Sequence, residues 1–324
     1  MPSSGRVFAF LHPLADDHAA RFRAAFPEVE FLVPAARGLP EGIARAHGAA
    51  TAWNGPPLEA ILAAAPHLEW LHQRGAGIDG IARPVLEASR IVLTNGSGNH
   101  APNIAEHVLA MMLAFARRLP ELVRAQVDAR WAPPDAHAVF KLSGQALLVV
   151  GTGAIGTALG ERAAALGMRV AGVRRAVTGD VLPGFDRVRP MAELDAALAE
   201  ADHVVIALPL TGETRHLFDA SRLARMRRGA YLYNVGRGGI VDQAALIEAL
   251  ERGQLAGAGL DVTDPEPLPP ESPLWRAPNV LITAHSSGLT PRSLERYHAL
   301  LHENLRRWVA GEALLNVVDK HLGY

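Results

Sequence analysis

The sequence predicts an α/β protein built from two doubly wound parallel-sheet domains. Apolar runs of strand length alternate with segments of helical periodicity, and this alternation stops near residue 99 and restarts near residue 146. Strands that alternate with helices are typical of a parallel sheet covered on both faces. The length of 324 residues accommodates two such domains, since a domain has roughly 150 residues.

The first series of elements occupies the first hundred residues. Apolar runs predict strands at residues 7–11, 30–33, 49–53, 68–72 and 91–94. Helical spacing between them predicts helices at residues 16–25, 58–65 and 78–88.

A long apolar-periodic segment, residues 104–119, follows and predicts one helix that breaks at Pro120. The stretch around Trp131 has the composition of a loop. The second series then predicts strands at residues 146–150, 169–173, 203–207, 230–234, 255–260 and 280–283. Predicted helices of this part lie at residues 155–166, 191–200, 243–251 and 293–309.

These elements predict a first domain over residues 1–98 and a second over residues 99–287. Residues 288–324 contain a single helix, which is too little for a third domain. We expect this C-terminal helix to return to the first domain, so that the chain crosses between domains twice.

The composition narrows the function classes. The formal net charge is −1 without a basic stripe, which argues against nucleic acid or an anionic membrane as the partner. No apolar run approaches the roughly 20 residues of a membrane span, and no signal pattern opens the sequence. The absence of cysteine excludes disulfides, thiol catalysis and cysteine-ligated metals. We therefore expect a cytoplasmic protein.

A glycine turn, Gly151-Thr152-Gly153-Ala154-Ile155-Gly156, follows the apolar run at residues 147–150 and opens a helical segment. In that context the first glycine makes the turn, the second lets the backbone approach a pyrophosphate, and the third permits close helix packing. The helix N-terminus then faces the anion. The turn predicts a nicotinamide dinucleotide, with Gly151, Gly153, Ala154, Ile155 and Gly156 as binding residues.

The end of the next strand bears on which dinucleotide binds. An acidic residue there would bind the ribose 2′-hydroxyl, but the sequence has Arg174 and Arg175. Guanidinium groups bind a 2′-phosphate through charge-assisted hydrogen bonds. We therefore expect NADP(H) to be preferred, with NAD(H) as the second choice. The alternative is that the two arginines form an ordinary solvated strand end.

Three further segments, residues 234–242, 259–268 and 282–287, resemble the D-2-hydroxyacid dehydrogenase family together with the glycine turn. The resemblance extends over nearly the whole chain and includes residues 74–79, 105–107 and 207–211. It implies an NAD(P)-dependent oxidoreductase with a flavodoxin-like substrate domain and a Rossmann dinucleotide-binding domain. It also implies an active site in the cleft between the domains and a homodimer, with the helix at residues 104–119 as a candidate interface.

By position, the family's catalytic arginine, glutamate and histidine correspond to Arg237, Glu266 and His285. Asp264 is a rival for the acid, but the family places its glutamate directly before Pro267 and Leu268. Reduction of a 2-oxo acid needs a proton for the carbonyl oxygen, which an imidazole can supply near neutral pH. A carboxylate beside the imidazole orients it and favours its protonated form. Arginine anchors the substrate carboxylate and polarises the carbonyl.

Each of these three residues also has an ordinary structural interpretation as a packed histidine, a backbone-binding arginine or a loop charge. Together, at the carboxyl ends of predicted parallel strands, they favour catalysis. No histidine spacing indicates a metal site, and Arg237 supplies the positive charge that the reaction needs.

The resemblance implies further binding residues. Ala76 and Gly77 correspond to backbone amides that hold the substrate carboxylate, where small side chains permit close approach. The other positions correspond to cofactor contacts, with Asp261 at the nicotinamide carboxamide: Asn103, Leu208, Pro209, Val235, Gly236, Asp261 and Ser287.

The sequence departs from the family pattern beside the histidine. Ala284 stands where a proline is usual, which leaves the approach to His285 less restrained. Ser286, Ser287 and Gly288 replace a more usual isoleucine, glycine and serine, which affects the contacts expected on the nicotinamide side.

Residues 267–275 resemble the glyoxylate/hydroxypyruvate reductase branch of the family. The sequence therefore predicts NADPH-dependent reduction of a small 2-oxo acid, such as glyoxylate or hydroxypyruvate, to the D-2-hydroxy acid. A cofactor-sensing binding protein of the corepressor kind remains the alternative from another class, and the sequence has no appended partner-binding tail. Formate or phosphite oxidation matches the length and loops less well.

Overall fold

A computed structural model describes residues 5–52, 54–176, 179 and 181–324 of the chain. It consists of two compact units. Unit 1 contains the residues up to Asn99 together with Thr290–Tyr324, and unit 2 is His100–Leu289. The units therefore divide at 99/100 and 289/290, where the sequence analysis places the boundaries at 98/99 and 287/288.

Unit 1 contains a five-stranded parallel sheet in the order β2-β1-β3-β4-β5. Its strands are β1 (Arg6–Phe10), β2 (Val29–Leu32), β3 (Gly48–Thr51), β4 (Trp70–Gln73) and β5 (Val92–Asn95). Its helices are α1 (Asp16–Ala25), α2 (Leu58–Ala64), α3 (Arg83–Ala88) and, from the end of the chain, α10 (Pro291–Ala310). The predicted strand at 49–53 extends to Trp53, which lies outside the described residues.

Two apolar clusters cover the faces of this sheet. On one face α10 contributes Leu301, Leu305 and Trp308 to a cluster with Phe8 and Trp70. On the other face the cluster contains Leu58, Ile61, Leu71, Leu86 and Leu93. Burial on both faces explains why the strands appear in the sequence as continuous apolar runs.

Unit 2 contains a seven-stranded parallel sheet in the order β12-β11-β10-β9-β6-β7-β8. Its strands are β6 (Ala146–Val150), β7 (Arg169–Arg174), β8 (Arg187–Pro190), β9 (His203–Ile206), β10 (Ala230–Asn234), β11 (Leu255–Leu260) and β12 (Val280–Ile282). Its helices are α4 (Ala101–Ala116), α5 (Leu119–Val127), α6 (Ala154–Ala165), α7 (Leu194–Leu198), α8 (Ala220–Arg225) and α9 (Gln243–Glu251).

The strand order of unit 2 reverses between β6 and β9. From β6 the chain builds outward to β8 on one side, and it then returns to build β9 to β12 on the other side. Loops that leave adjacent strands in opposite directions open a crevice at the carboxyl ends of the strands. The glycine turn follows β6 directly and therefore lies at this crevice.

The structure differs from the sequence-based predictions at several helices and one strand. Pro120 lies in the first turn of α5, where its missing N–H has no helical partner to lose, so it begins a second helix in the stretch predicted as a loop. The predicted helix at 78–88 is helical only from Arg83, because Pro84 at the first turn sets its start. β8 and α8 were not predicted: each is short, and β8 is an edge strand in which two of the four residues are arginines.

None of the helices that the structure describes is long and apolar enough to cross a membrane.

Candidate active site

The glycine turn has the backbone geometry that a close approach requires. Gly151 has φ +100°, and a Cβ there would lie 2.6 Å from the carbonyl oxygen of Ala207. A Cβ at Gly156 would lie 2.1 Å from the carbonyl oxygen of Gly151, so only glycine lets α6 pack this closely against the turn. Gly153, by contrast, has open space around its Cα.

The turn and the start of α6 form a cradle for an anion. Gly153 and Ala154 are exposed, Ile155 is half-buried, and α6 begins at Ala154 without a side-chain cap. The first amides of an α-helix have no partner within the helix and attract anions. The Thr152 hydroxyl in the same turn is buried and has no hydrogen-bond partner in the structure. These features fit the pyrophosphate of a dinucleotide.

The two arginines expected to choose between dinucleotides end the neighbouring strand. Arg174 is the last residue of β7 and is half-buried, while Arg175 follows it and is exposed. β7 pairs directly with β6, with Val150 opposite Val173. Both guanidinium groups therefore start from the strand next to the glycine turn, at the same edge of the sheet.

The loops after β9 and β10 contact each other beside the turn. A Cβ at Gly236 would lie 2.5 Å from the carbonyl oxygen of Leu208. Val235 is buried, whereas Leu208 and Pro209 are half-buried. Pro209 accepts a hydrogen bond from the Thr214 hydroxyl at 2.7 Å, which holds that loop.

Arg237 lies in the loop after β10. The side-chain amide of Asn234 donates to the carbonyl oxygen of Arg237 at 2.9 Å, and its Oδ1 accepts from the amide of Gly236 at 3.1 Å. A Cβ at Gly238 would lie 1.9 Å from the carbonyl oxygen of Thr263. The glycine after Arg237 therefore brings this loop into contact with the loop that carries the glutamate.

His285 and Glu266 form a hydrogen-bonded pair. The distance between His285 Nδ1 and Glu266 Oε2 is 2.8 Å, and both side chains are partly exposed. The other carboxylate oxygen, Oε1, accepts from the Thr263 amide at 3.1 Å, which fixes the carboxylate. Because an ionised carboxylate only accepts, Nδ1 carries the hydrogen of the pair, and Nε2 is the nitrogen that can exchange a proton with a ligand.

The rival acid, Asp264, is placed differently. Its carboxylate lies 3.7 Å from Arg215 Nη1, and its backbone amide donates to Gln243. The contact with the imidazole is made by Glu266, as the position before Pro267 indicates.

Asp261 organises the backbone around His285. Its buried carboxylate accepts from the Thr283 hydroxyl at 2.7 Å and from the amide of Ser286 at 2.9 Å. The amide and the hydroxyl of Ser287 also donate to it. Donors therefore reach both carboxylate oxygens, so Asp261 positions the backbone around His285, and its contact with the nicotinamide carboxamide stays a prediction. The Ser287 hydroxyl donates to this carboxylate, so it also helps to hold the backbone beside His285.

The histidine itself adopts an uncommon backbone conformation. His285 has φ +48°, in the left-handed region that side chains other than glycine rarely occupy. Its amide donates to the carbonyl oxygen of Asp261 at 2.8 Å. The hydrogen bonds of Asp261 to both sides of the histidine explain how this conformation is held.

His107, on α4, also reaches this network. Its Nε2 lies 2.9 Å from the Thr283 hydroxyl oxygen and 3.9 Å from Asp261 Oδ1. The sequence analysis named the 105–107 segment only as part of the resemblance, and nothing in it indicated a link to a loop 176 residues later. Thr263, Thr283 and Asn234 were missed for the same reason, because their roles are to hold backbone.

Three other predicted residues lie on α4 or in the loop that follows β4. Asn103, on α4, donates from its side-chain amide to the carbonyl oxygen of Gly288 at 3.1 Å. Ala76 and Gly77 lie in unit 1, in the loop that follows β4, and the Asn95 side chain donates to the carbonyl oxygen of Ala76 at 2.7 Å. Among the described residues, no group of three or more histidine, aspartate or glutamate side chains could hold a metal ion.

Comparison with known families gives a match over most of the second unit. Residues 109–287 match the family described as D-isomer specific 2-hydroxyacid dehydrogenase, NAD binding domain. The chain is 35% identical to a glyoxylate reductase of Korarchaeum cryptofilum over 82% of this chain and 81% of that protein. It is also 35% identical to a glyoxylate/hydroxypyruvate reductase B of Salmonella newport over 80% and 81% of the two chains.

Solved structures agree over the whole chain. The D-isomer specific 2-hydroxyacid dehydrogenase of Xanthobacter autotrophicus Py2 in complex with NADPH and MES has a TM-score of 0.84 at 33% identity, covering 99% of this chain and 100% of that one. The NADPH-dependent glyoxylate/hydroxypyruvate reductase of Sinorhizobium meliloti in complex with NADP and sulfate has a TM-score of 0.81 at 26% identity, covering 98% and 100%.

Proposed function

The chain belongs to the D-isomer-specific 2-hydroxyacid dehydrogenases, which are NAD(P)-dependent oxidoreductases, and we propose that it reduces small 2-oxo acids to D-2-hydroxy acids with NADPH. The observation that carries this proposal is the His285–Glu266 pair. It stands in the unit that matches the dinucleotide-binding family and beside the loop of Arg237.

The positions of the three loops support a role for Arg237, Glu266 and His285 at one substrate. Arg237, Glu266 and the His285 segment follow β10, β11 and β12, which are neighbours in one parallel sheet. Adjacent strands lie about 4.8 Å apart, so β10 and β12 are about 10 Å apart. A small 2-oxo acid fits between groups that start from these two strands.

NADPH held by the glycine turn would supply the hydride that the carbonyl carbon of the substrate needs. Arg237 holds the substrate carboxylate and polarises the carbonyl oxygen, where negative charge develops. Protonated His285 donates the proton from Nε2 to that oxygen. Glu266 accepts from Nδ1 throughout, so it keeps the ring oriented and stabilises the imidazolium before transfer. In the reverse direction neutral His285 accepts the proton.

The preference for NADPH rests on Arg174 and Arg175. β7 ends at the first of them, and no acidic residue stands there to repel a 2′-phosphate. The Xanthobacter and Sinorhizobium structures are described with NADPH and NADP. The remaining cofactor residues of the proposal are Asn103, Leu208, Pro209, Val235 and Gly236. Ala76 and Gly77 are proposed as carboxylate-binding amides.

Glyoxylate and hydroxypyruvate are the proposed substrates. Their support is the 35% identity to reductases named for them and the similarity of residues 267–275 to that branch. A neutral side-chain pocket is not required for glyoxylate, which has no side chain to recognise.

A panel of 2-oxo acids with NADPH and NADH in parallel tests the proposal. We expect NADPH oxidation with glyoxylate and hydroxypyruvate, a higher kcat/KM with NADPH than with NADH, and loss of that preference in an R174S/R175S double variant. His285→Ala should abolish turnover and leave NADPH affinity nearly unchanged. Tight NADPH binding without turnover of any acid would instead favour the cofactor-sensing class. A preference for NADH would contradict the role of the arginines.

We also propose a homodimer that forms through unit 2. The predicted interface helix at 104–119 exposes few large apolar side chains, since Met111, Met112 and Phe115 are buried in its own unit. The next segment exposes Val123 at 56%, Val127 at 80% and Trp131 at 100%. Several large apolar side chains exposed within one short segment support an interaction surface. Sedimentation at micromolar concentration should give a dimer, and a V127D/W131S variant should give a monomer; a monomeric wild type would refute the proposal.

A further inference from the structure

The carboxyl-terminal edge of the sheet in unit 1 carries positive charge that the proposed reaction does not use. Arg74 follows β4, and Arg37 lies in the loop that follows β2. In a parallel sheet the carboxyl ends of all strands lie at the same edge. Both arginines are exposed, and neither has an ion-pair partner within the part of the chain that the structure describes.

Arg74 directly precedes the loop proposed to hold the substrate carboxylate. Consecutive Cα atoms are about 3.8 Å apart, so the Cα atoms of Arg74 and Ala76 are at most about 7.6 Å apart. The side chain is held at one end, because the Arg74 guanidinium carbon lies 5.5 Å from the ring centre of Tyr297 on α10. Tyr297 is buried, so it provides a fixed surface beneath the cation.

The polar groups around this cation do not neutralise it. His12 follows β1 and approaches the Tyr297 hydroxyl, with 3.3 Å between its Nε2 and that oxygen. Burial lowers the pKa of His12, and the charges of Arg74 and Arg37 act in the same direction. Burial also lowers the pKa of His298 to about 4. Both imidazoles are therefore neutral at pH 7, and the charge of the edge comes from the arginines.

The acid that also acts on His298, Asp17, has other partners, since it lies 3.6 Å from Arg21 and 3.8 Å from His18. Arg74 has no ion-pair partner among the described residues and stands two residues before Ala76, whose amide is proposed to bind the substrate carboxylate. A second anionic group of a ligand would gain a charge-assisted hydrogen bond from it.

We propose that Arg74 binds a carboxylate on the substrate side chain, so that the enzyme prefers 2-oxo dicarboxylates to 2-oxo acids of the same length with an apolar end. Arg37 adds to the positive field at that edge. This inference rests on the proposed function, because it concerns the side chain of the same 2-oxo acid.

A matched substrate pair tests it. Oxaloacetate and 2-oxobutanoate have four carbons each and differ by a carboxylate in place of a methyl group. We expect wild-type kcat/KM to be at least tenfold higher for oxaloacetate, and the ratio of the two values to fall about tenfold or more in Arg74→Gln, as for the loss of one hydrogen bond to a charged group. Arg74→Lys should retain part of the preference, since it keeps the charge.

Arg90→Gln is the matched control. Arg90 is an exposed arginine of unit 1 without an ion-pair partner among the described residues, but it precedes β5 and so lies at the opposite edge of the sheet. Its substitution should leave the substrate ratio unchanged. Equal wild-type kcat/KM for both acids, or an unchanged ratio in Arg74→Gln, overturns the role of Arg74 while turnover itself upholds the proposed function. An absence of turnover with every 2-oxo acid overturns both.

Discussion

The Nε2 atom of His107 lies 2.9 Å from the hydroxyl oxygen of Thr283, and that hydroxyl donates to Asp261. The contact joins α4 to the segment that carries His285. Asp261 in turn accepts from the backbone amides on the far side of the histidine. The position of the imidazole is therefore set by a buried carboxylate, a hydroxyl and a second histidine, none of which needs to contact the substrate.

Thr283→Val should slow the reaction without weakening cofactor binding. Valine has nearly the same shape but removes the donor to Asp261 and the contact with His107. Because the ring of His285 would then be less well oriented, we expect kcat to fall about tenfold, which corresponds to about 1.4 kcal/mol in the barrier. Steady-state kinetics and NADPH titration measure the two effects separately.

Thr290→Val serves as its control. Thr290 makes a similar local hydrogen bond, since its hydroxyl accepts from the amide of Arg292 at the start of α10, in unit 1. This variant should lose some stability and keep its kcat. Equal losses of kcat in both variants would show that Thr283 acts only through stability.

Glu266→Gln should lower kcat by about 100-fold, a typical size for loss of an acid–base partner. The amide is nearly isosteric but cannot stabilise the imidazolium as a carboxylate does, and its neutral oxygen is a weaker partner for Nδ1 of His285.

Asp264→Asn is the matched control for Glu266→Gln. Asp264 is two residues away and interacts with Arg215 rather than with the imidazole. We expect less than a threefold change in kcat. A loss as large as that of the Glu266 variant would mean that Asp264 shares the acid's role.

Two glycines of the same turn should respond in opposite ways to alanine. In Gly156→Ala the new Cβ meets the carbonyl oxygen of Gly151 at 2.1 Å, so the free energy of unfolding should fall by about 1–3 kcal/mol. In Gly153→Ala the Cβ meets nothing within 4 Å, so stability should change by less than about 1 kcal/mol. The affinity of the second variant for NADPH should nevertheless fall at least tenfold.

Urea unfolding and fluorescence titration with NADPH measure these two quantities. The reason for the second effect is that the methyl group added in Gly153→Ala would project into the space that the pyrophosphate needs. Unchanged NADPH affinity in this variant would place the cofactor elsewhere.

The stability of the protein should decrease below pH 6.5. Burial lowers the pKa values of His72 and His203 to about 4. The unfolded chain, whose histidines titrate near 6.5, therefore binds more protons between these pH values. The contribution of these two neutral histidines to the free energy of unfolding is fully present above pH 6.5. It is lost as the pH falls toward 4, and the loss is about 2 kcal/mol for each histidine at pH 5.

His203→Gln should reduce this pH dependence. His203 lies 3.1 Å from the Tyr233 hydroxyl oxygen and is fully buried. Urea unfolding at pH 5 and pH 7 measures the effect, with His137→Gln, at an exposed histidine, as the control. An unaltered difference between the two pH values in His203→Gln would refute the assignment.

The sequence was sufficient to predict the two parallel sheets because both faces of each are buried, and burial leaves a strong local pattern. The family resemblance indicated Glu266 rather than Asp264, through its position before Pro267 and Leu268, and Glu266 is the acid that contacts the imidazole. The sequence could not give α5, because a proline both ends and begins helices. It could not give β8, whose pairing with β7 depends on the sheet rather than on its own residues.

The residues that support the site could not be predicted from the sequence, and the reason is different. Asp261 was predicted as a ligand-binding residue, yet its donors come from three positions 22 to 26 residues later. His107 meets a residue 176 positions away. Such contacts arise only from the order of strands in space, so residue type and spacing do not indicate them.

The pairing of α10 with the first sheet also has a consequence for synthesis on the ribosome. Phe8 and Trp70 are made early, but Leu301, Leu305 and Trp308, which cover them, are made only after all of unit 2. The nascent chain therefore carries an uncovered aromatic layer while all of unit 2 is translated and can fold. Contacts of such long sequence separation form slowly, and exposed apolar surface favours aggregation meanwhile. Synthesis of α10, rather than emergence of the first hundred residues, is the event that permits the first unit to close its core.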